Sequence, residues 1–246
     1  MLLSAAVVAS ACSDDDGDDN KKSNLESVKF GLANETKLIE PTESLQNSEN
    51  EVAIMANSWI AVANGLLQYT SYLQAPSNAT KSKNRITASN GRTNTNGEVL
   101  VYTWSDQSLT YAYQVSEESD RYVFEIFLKE NGGDWFKYTE AEEAKDGTAG
   151  RMRVFDVEGP DASFVLFAFN WEHEDDGDFA LSYFDYIDEG SISFIIDSNG
   201  TGIVGAYNGT EANRKKAYEL IWFAEGGGHW TYYDEDEVVA ETGDWE

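Results

Sequence analysis

The stretch ISFIIDSNGTGIVGAYNGTEANRKKAYELIWF, residues 192–223, indicates the fold class most clearly. It contains three apolar segments in which large side chains alternate with polar or small ones, as in strands that bury one face. Asn199-Gly200 and Asn208-Gly209 separate these segments, and such dipeptides suit the positive φ angles of tight hairpins. The stretch therefore predicts neighbouring antiparallel strands joined by short turns.

The same pattern extends from residue 97 to residue 233. Segments rich in Tyr, Phe, Trp, Val and Ile recur about every 10 to 14 residues, and turn-forming residues separate them. We predict a mainly β (α+β) fold, an antiparallel up-and-down meander of about 10–11 strands that forms a barrel or a curved half-barrel. The predicted strands are residues 99–104, 109–115, 122–128, 134–138, 151–157, 163–171, 179–186, 192–197, 202–207, 217–223 and 230–233.

One long amphipathic helix is predicted before the meander. Ser48 and Glu51 have the spacing of a capping box, and apolar residues then recur every three or four positions, which predicts a helix over residues 48–75. Because so long an apolar stripe must be buried, we expect residues 52–73 to pack across the sheet near residues 163–171. A recognition or dimerising helix is the alternative.

Composition limits the partners. The 246-residue chain carries 17 basic and 45 acidic residues, a formal net charge of −28, and such a field repels phosphate backbones and anionic lipid head groups. Nucleic acid is therefore not predicted as a partner. With 41% hydrophobic residues, the chain can bury a substantial core, and we assign residues 44–246 to one β-rich domain.

The first residues indicate export. Residues 2–11 are apolar and end in Ala-Ser-Ala, small residues that a signal peptidase accepts, and the only cysteine, Cys12, follows. The apolar run is shorter than the ~20 residues that a membrane-spanning helix needs. We predict a signal peptide over residues 1–11. No Lys or Arg precedes Lys21, so the true start is expected upstream.

The junction at Cys12 resembles a bacterial lipobox, which implies acylation of this cysteine and a lipid anchor in the membrane. Residues 13–20, SDDDGDDN, carry five carboxylates that repel one another and stay hydrated, so residues 12–43 are predicted to be a flexible tether. A cysteine followed by such a cluster resembles the export signal of surface-exposed outer-membrane lipoproteins of the Bacteroidota. Ordinary secretory cleavage, with Cys12 left free, is the alternative.

No residue spacing indicates a catalytic, metal or cofactor site, and none is assigned. The densest group of potential ligands, residues 172–178 with His173, is interpreted as a solvated turn or a Ca²⁺ loop. Residues 234–246 are acidic and are predicted to form a solvated tail.

A basic cluster marks an exposed connection or a contact for an anionic group: Lys81, Lys83, Arg85 and Arg92. Five tryptophans are interpreted as core, with sugar stacking as the alternative: Trp104, Trp135, Trp171, Trp222 and Trp230.

These features together predict a cell-envelope lipoprotein, interpreted as a non-enzymatic binding module rather than an enzyme, with a glycan, Ca²⁺ or an acyl chain as ligand. A helix covering a curved sheet resembles the lipoprotein-carrier half-barrels of the bacterial envelope, which implies an acyl-chain concavity. Two alternatives stay open. One is an extracellular polysaccharide-acting enzyme that uses carboxylate pairs, and the other is a structural envelope protein.

Overall fold

The computed structural model describes residues 24–34, 38–89, 97–106, 108–130, 132–157, 164–173 and 177–246. Its main element is one antiparallel sheet of 13 strands, which lie side by side in sequence order. The strands are β1 (Thr80–Ser82), β2 (Val99–Asp106), β3 (Leu109–Glu117), β4 (Arg121–Glu130), β5 (Phe136–Ala144), β6 (Ala149–Phe155), β7 (Val165–His173), β8 (Phe179–Asp185), β9 (Gly190–Ile196), β10 (Gly202–Asn208), β11 (Lys215–Trp222), β12 (Gly228–Tyr233) and β13 (Val239–Trp245).

The predicted up-and-down meander is confirmed, but the sheet is not a closed barrel. Among the described residues, β1 pairs only with β2 and β13 pairs only with β12, so both edges stay open. The sheet has more strands than predicted because β1 and β13 were not recognised. Residues 234–246, predicted to be a solvated tail, contain β13, and Trp245 at the end of this strand is buried.

The helices are shorter than predicted. A 3₁₀ helix (Gly31–Asn34) is followed by α1 (Glu43–Asn47), α2 (Glu51–Gly65) and α3 (Leu67–Thr70). The prediction of one helix over residues 48–75 is wrong, because α2 ends at Gly65 and only the single turn of α3 follows. No helix in the described part of the chain is long and apolar enough to cross a membrane.

The start of α2 also differs from the prediction. Asn50, not Ser48, is the N-cap, and its side chain accepts a hydrogen bond from the Val52 backbone N–H at 2.9 Å. The apolar stripe continues after the helix, since Leu66 and Leu73 are buried in the turns beyond α2. Burial alone therefore does not separate a helix from a packed turn.

The helices cover one face of the sheet, which we call the helix face. Trp59 of α2 packs edge-on against Tyr218 of β11, with ring centroids 4.9 Å apart. Tyr69 of α3 packs against Phe167 of β7 at 4.8 Å, so a contact expected between residues 52–73 and residues 163–171 is present.

Part of the predicted tether belongs to this core. Leu25, Phe30, Leu32 and Ile39 are buried, and Phe30 lies 5.3 Å, between ring centroids, from each of two core aromatics of β4 and β7. The packed part of the chain therefore begins earlier than residue 44. The described residues of the range 12–43 cover the helix face together with α1 to α3.

Tryptophans of the helix face lie over glycines of the neighbouring strand. In the sheet register each pair is directly opposite: Gly150 with Trp171, Gly202 with Trp222, Gly228 with Trp245, and Gly243 with Trp230. A Cβ added at Gly243 would lie 2.7 Å from Cζ2 of Trp230, closer than atoms in van der Waals contact. The glycines therefore make the space that the indole rings fill.

Candidate functional site

The face of the sheet opposite the helices, the outer face, is covered only in part. On β2 to β4, residues 83–89 fold over it, and Ile86 and Ala88 pack there against Val101 and Phe127. From β5 to β13 the outer face is largely polar and its side chains are mostly half-buried or exposed. This second region is where a ligand can reach the sheet.

A continuous row of polar and small residues crosses this region at right angles to the strands. Each member is the direct cross-strand partner of the next: Glu142, Arg151, Asn170, Ser182, Ser193, Gly205, Glu219, Thr231 and Thr242. We call this set the polar row. It runs from β5 to β13, and with about 4.8 Å between strands its length is roughly 38 Å.

The β6–β7 part of the polar row contains unmet hydrogen-bonding groups. Nε of Arg151 and Oδ1 of Asn170 are both shielded from water and have no hydrogen-bond partner among the described residues. These two residues line a pocket of about 450 Å³, which Asp120, Arg121 and Glu142 also line. One unmet donor and one unmet acceptor therefore stand on adjacent strands, on side chains that line this pocket but with both atoms covered.

The middle of the polar row has a floor of small side chains beside an aromatic ring. Ser182, Ser193 and Gly205 occupy β8 to β10, and a Cβ added at Gly205 would lie 3.0 Å from the Tyr207 ring. The Tyr207 hydroxyl is 3.4 Å from Oγ of Ser193. The Arg214 guanidinium lies 4.8 Å from the centroid of the same ring, a cation–π contact that holds the ring against the floor.

The β12–β13 end contains a chain of hydrogen bonds around His229. Its Nδ1 is 2.8 Å from Asp244 Oδ1 and its Nε2 is 2.8 Å from Thr242 Oγ1. The Thr242 hydroxyl donates to the Trp230 carbonyl at 2.8 Å, so its proton points away from the imidazole. Asp244 is 86% exposed. These hydrogen bonds hold the last two strands together, and their geometry does not match that of an activated nucleophile.

The carboxylates of the polar row are paired with cations. Glu219 is 2.5 Å from Lys216 Nζ, and Glu142 is 2.8 Å from Arg121. Hydrogen bonds to Asp120 and to Glu142 raise the pKa of the Arg121 guanidinium. Glu142 and Glu219 lie on β5 and β11, so the two acids of the row do not face each other.

A second charged group lies beside the polar row. Glu125 and Glu140 are cross-strand partners on β4 and β5, and Lys137 pairs with both, at 2.6 Å from Glu125. Glu140 also pairs with Arg153. The side chains of Lys137 and Glu125 are 3% and 1% exposed. This carboxylate pair is therefore neutralised and enclosed, which suits a structural role rather than hydrolysis.

The sites singled out in the sequence are placed elsewhere. Cys12 and the predicted signal peptide lie outside the described residues, as do residues 174–176 of the acidic cluster. His173 ends β7 against the Phe179 ring, and Asp178 accepts a hydrogen bond from the Ser198 N–H at 2.8 Å. In the part of the chain that the structure describes, no three His, Cys, Asp or Glu side chains come together as a metal site.

The basic cluster links chain segments. Lys81 pairs with Glu26 at 2.9 Å, Arg85 donates a long hydrogen bond of 3.4 Å to the Gly97 carbonyl, and Arg92 lies outside the described residues.

The five tryptophans singled out in the sequence pack into or against the apolar cores, as interpreted. Two are buried and three are partly buried against the two apolar cores: Trp171 and Trp222, and Trp104, Trp135 and Trp230.

The polar row was not predicted. Its members are ordinary outer-face residues of nine separate strands, and only the strand register aligns them. Comparison of the chain with protein-family models, with curated proteins and with solved structures finds no match. Function is therefore inferred from the residues and their geometry.

Proposed function

We propose that this chain is a lipid-anchored protein of the outer membrane, held at the cell surface through Cys12, and that its β-domain is a non-enzymatic module that binds a neutral glycan. The observation that carries the glycan assignment is the polar row, with an unmet donor and an unmet acceptor side by side. The anchor rests on the position of the only cysteine after Ala-Ser-Ala and before an acidic run.

Sugar hydroxyls match the chemistry of the row. Each hydroxyl both donates and accepts hydrogen bonds, so two adjacent hydroxyls of one ring satisfy Arg151 Nε and Asn170 Oδ1 together once a change of rotamer exposes these two atoms to the pocket. Leaving such groups without partners costs free energy, and a ligand that supplies the partners recovers it. A ligand with only acceptors, such as a phosphate, satisfies the arginine and leaves the amide oxygen unmatched.

An aromatic ring beside the hydrogen-bonding groups adds to the fit. Tyr207 borders the floor formed by Ser193 and Gly205. Because its ring lies between this floor and the Arg214 guanidinium, it offers its hydroxyl and its edge, rather than a face, to a sugar. The length of the row suits a chain of several sugars rather than a single one. We therefore place the binding surface along the polar row, with Tyr207 near its centre.

The charge of the protein selects among glycans. A net charge of −28 repels uronate, sulfate and phosphate groups at long range, and the carboxylates of the row already pair with cations. A neutral glycan avoids this repulsion. The same pairing supports binding over hydrolysis, because glycoside hydrolysis needs two carboxyl groups on either side of the bond. Packed side chains such as Phe30 and Trp222 occupy the helix face, which argues against an acyl-chain concavity there.

Affinity electrophoresis tests the glycan assignment. The full chain carrying Cys12→Ala is run through gels that contain linear xylan, mannan or amylose, and retardation reports binding. We expect retardation by at least one polysaccharide, and we expect Asn170→Ala and Arg151→Ala each to weaken it about tenfold, the effect of ~1.4 kcal/mol of lost hydrogen bonding. Gln68→Ala, at an exposed site on α3, is the matched control.

The possible results separate cleanly. Retardation that falls in both row variants and stays in the control supports the assignment. Equal retardation of all variants contradicts the role of the polar row. Absence of retardation in every gel contradicts the glycan.

The anchor has its own test. In cells fed labelled palmitate, the native chain is expected to take up label and to sediment with membranes, because more than one acyl chain gives stable membrane binding. Cys12→Ala is expected to lose both properties. Label retained in this variant would contradict the anchor, and ordinary secretory cleavage would leave even the native chain unlabelled.

A further inference from the structure

The two ends of the polar row differ. On the β13 side the row reaches the edge of the sheet, and Thr242, its last member, is exposed. On the β4 side the next positions in the same register are Val123 and Ser116, which are 4% and 0% exposed. A ligand lying in the row can therefore leave it over β13 and cannot continue onto β4 or β3.

A fixed side chain stands at the closed end. Arg121 of β4 reaches across to Glu142, the first member of the row, at 2.8 Å, and also pairs with Asp120 at 3.1 Å. Several ion pairs on one guanidinium hold it in a single place more firmly than one exposed pair would. Arg121 thereby forms a wall between the row and the buried part of the outer face.

The pocket lies against this wall. It is lined by Arg121 and Glu142 on one side and by Arg151 and Asn170 on the other, and its volume is about 450 Å³, within the usual range for small-molecule sites. The unmet hydrogen-bonding atoms of the row are here. The best-defined recognition groups are therefore at the closed end and not along the open part.

We infer that the polar row recognises the end of a linear neutral glycan, with the terminal sugar in the pocket between Arg121 and Asn170 and the rest of the chain running over β8 to β13. The inference rests on the proposed function. A terminal sugar fits a pocket with a wall, because its outermost side has no further sugar to accommodate. The middle of a chain has a sugar on both sides and would need an exit at Arg121.

Stoichiometry tests this inference separately from binding itself. Size fractions of the linear xylan, mannan and amylose used as probes are mixed with the full chain carrying Cys12→Ala, and sedimentation velocity gives the number of protein copies per glycan chain. End recognition predicts one copy per chain in every fraction, from the shortest to the longest. Copies that increase in proportion to chain length would overturn end recognition and leave the glycan-binding function intact. Absence of complexes with every fraction would overturn both.

A pair of variants tests the wall. We expect Arg121→Ala, which opens the closed end, to let long chains carry more than one copy. Lys145→Ala is the control, since it removes an ion pair of similar exposure with Glu117 and does not line this pocket. We expect it to keep one copy per chain. If Arg121→Ala also keeps one copy per long chain while still binding, the assignment of the stop to Arg121 is wrong.

Discussion

Replacing Gly202 by alanine tests how the tryptophans of the helix face are seated. A Cβ at this position would overlap the Trp222 ring. Of the three ring atoms nearest to it, even the farthest, Cη2, would be only 2.6 Å away. Carbon atoms in contact are normally about 3.5–4.0 Å apart. The ring must therefore move by roughly 1 Å or more, and Trp222 is 0% exposed, so close packing leaves it little room.

The displacement of the Trp222 ring determines how much stability Gly202→Ala is expected to lose. Overpacking a core typically costs ~1–3 kcal/mol, and full loss of a buried Trp side chain costs ~3–5 kcal/mol. We expect Gly202→Ala to lower the free energy of unfolding by about 3 kcal/mol, because three atoms of an enclosed ring are displaced. With an m-value of about 3 kcal/mol/M, the urea midpoint would fall by about 1 M.

The assay is urea unfolding followed by far-UV circular dichroism, with Gly190→Ala as the matched control. Gly190 also lies in a strand, and a Cβ there would meet its nearest atom at 3.8 Å, an ordinary contact, so we expect a change within about 0.5 kcal/mol. Adding Trp222→Phe should make Gly202→Ala less costly, which a double-mutant cycle measures. Equal midpoints for Gly202→Ala and Gly190→Ala would show that the Trp222 ring is not packed closely against Gly202.

Two further predictions concern buried charges. Burial raises the pKa of Glu143, and the hydrogen bond from the Gly31 N–H opposes the rise. Because the pKa is raised in the folded state, Glu143 contributes its full stability below the ordinary pKa of 4.5. That contribution is lost as the pH rises through the folded-state pKa. Glu143→Gln should therefore gain stability relative to the native chain with rising pH in urea titrations, and a constant difference would contradict this. Lys137→Met should cost ~3–5 kcal/mol, since it leaves Glu125 buried without its cation, whereas Lys81→Met at an exposed pair should cost at most ~1 kcal/mol; equal thermal shifts would contradict the burial argument.

Local patterns in the sequence were enough to predict the meander. Turns such as Asn199-Gly200 and Asn208-Gly209 mark hairpins whatever the rest of the chain does, and alternation predicts strands. The predicted helix is too long because Leu66 and Leu73 keep the apolar spacing of α2 although the backbone there forms turns. Strand β13 is absent from the prediction because most of its side chains are exposed and two of its seven residues are acidic. It is held by pairing with β12 and by the burial of Trp245.

The candidate site could not be predicted from the sequence, for a different reason. Arg151 and Asn170 are 19 positions apart in the chain. They are neighbours only because of the register between β6 and β7. A shift of one residue would turn the side chains of one strand to the other face of the sheet. Arg121 and Val123 show the same limit. Their places beside the polar row follow from the register between β4 and β5, and no local pattern predicts that register.

Blocking the polar row is the decisive experiment for glycan binding. Ser182→Trp places a large ring on the floor of the row, while Ser58→Trp places the same ring at an exposed position on α2. In gels containing the polysaccharide that retards the native chain, we expect Ser182→Trp to migrate as if no polysaccharide were present and Ser58→Trp to be retarded like the native chain. Full retardation of Ser182→Trp would show that the glycan does not bind along the polar row.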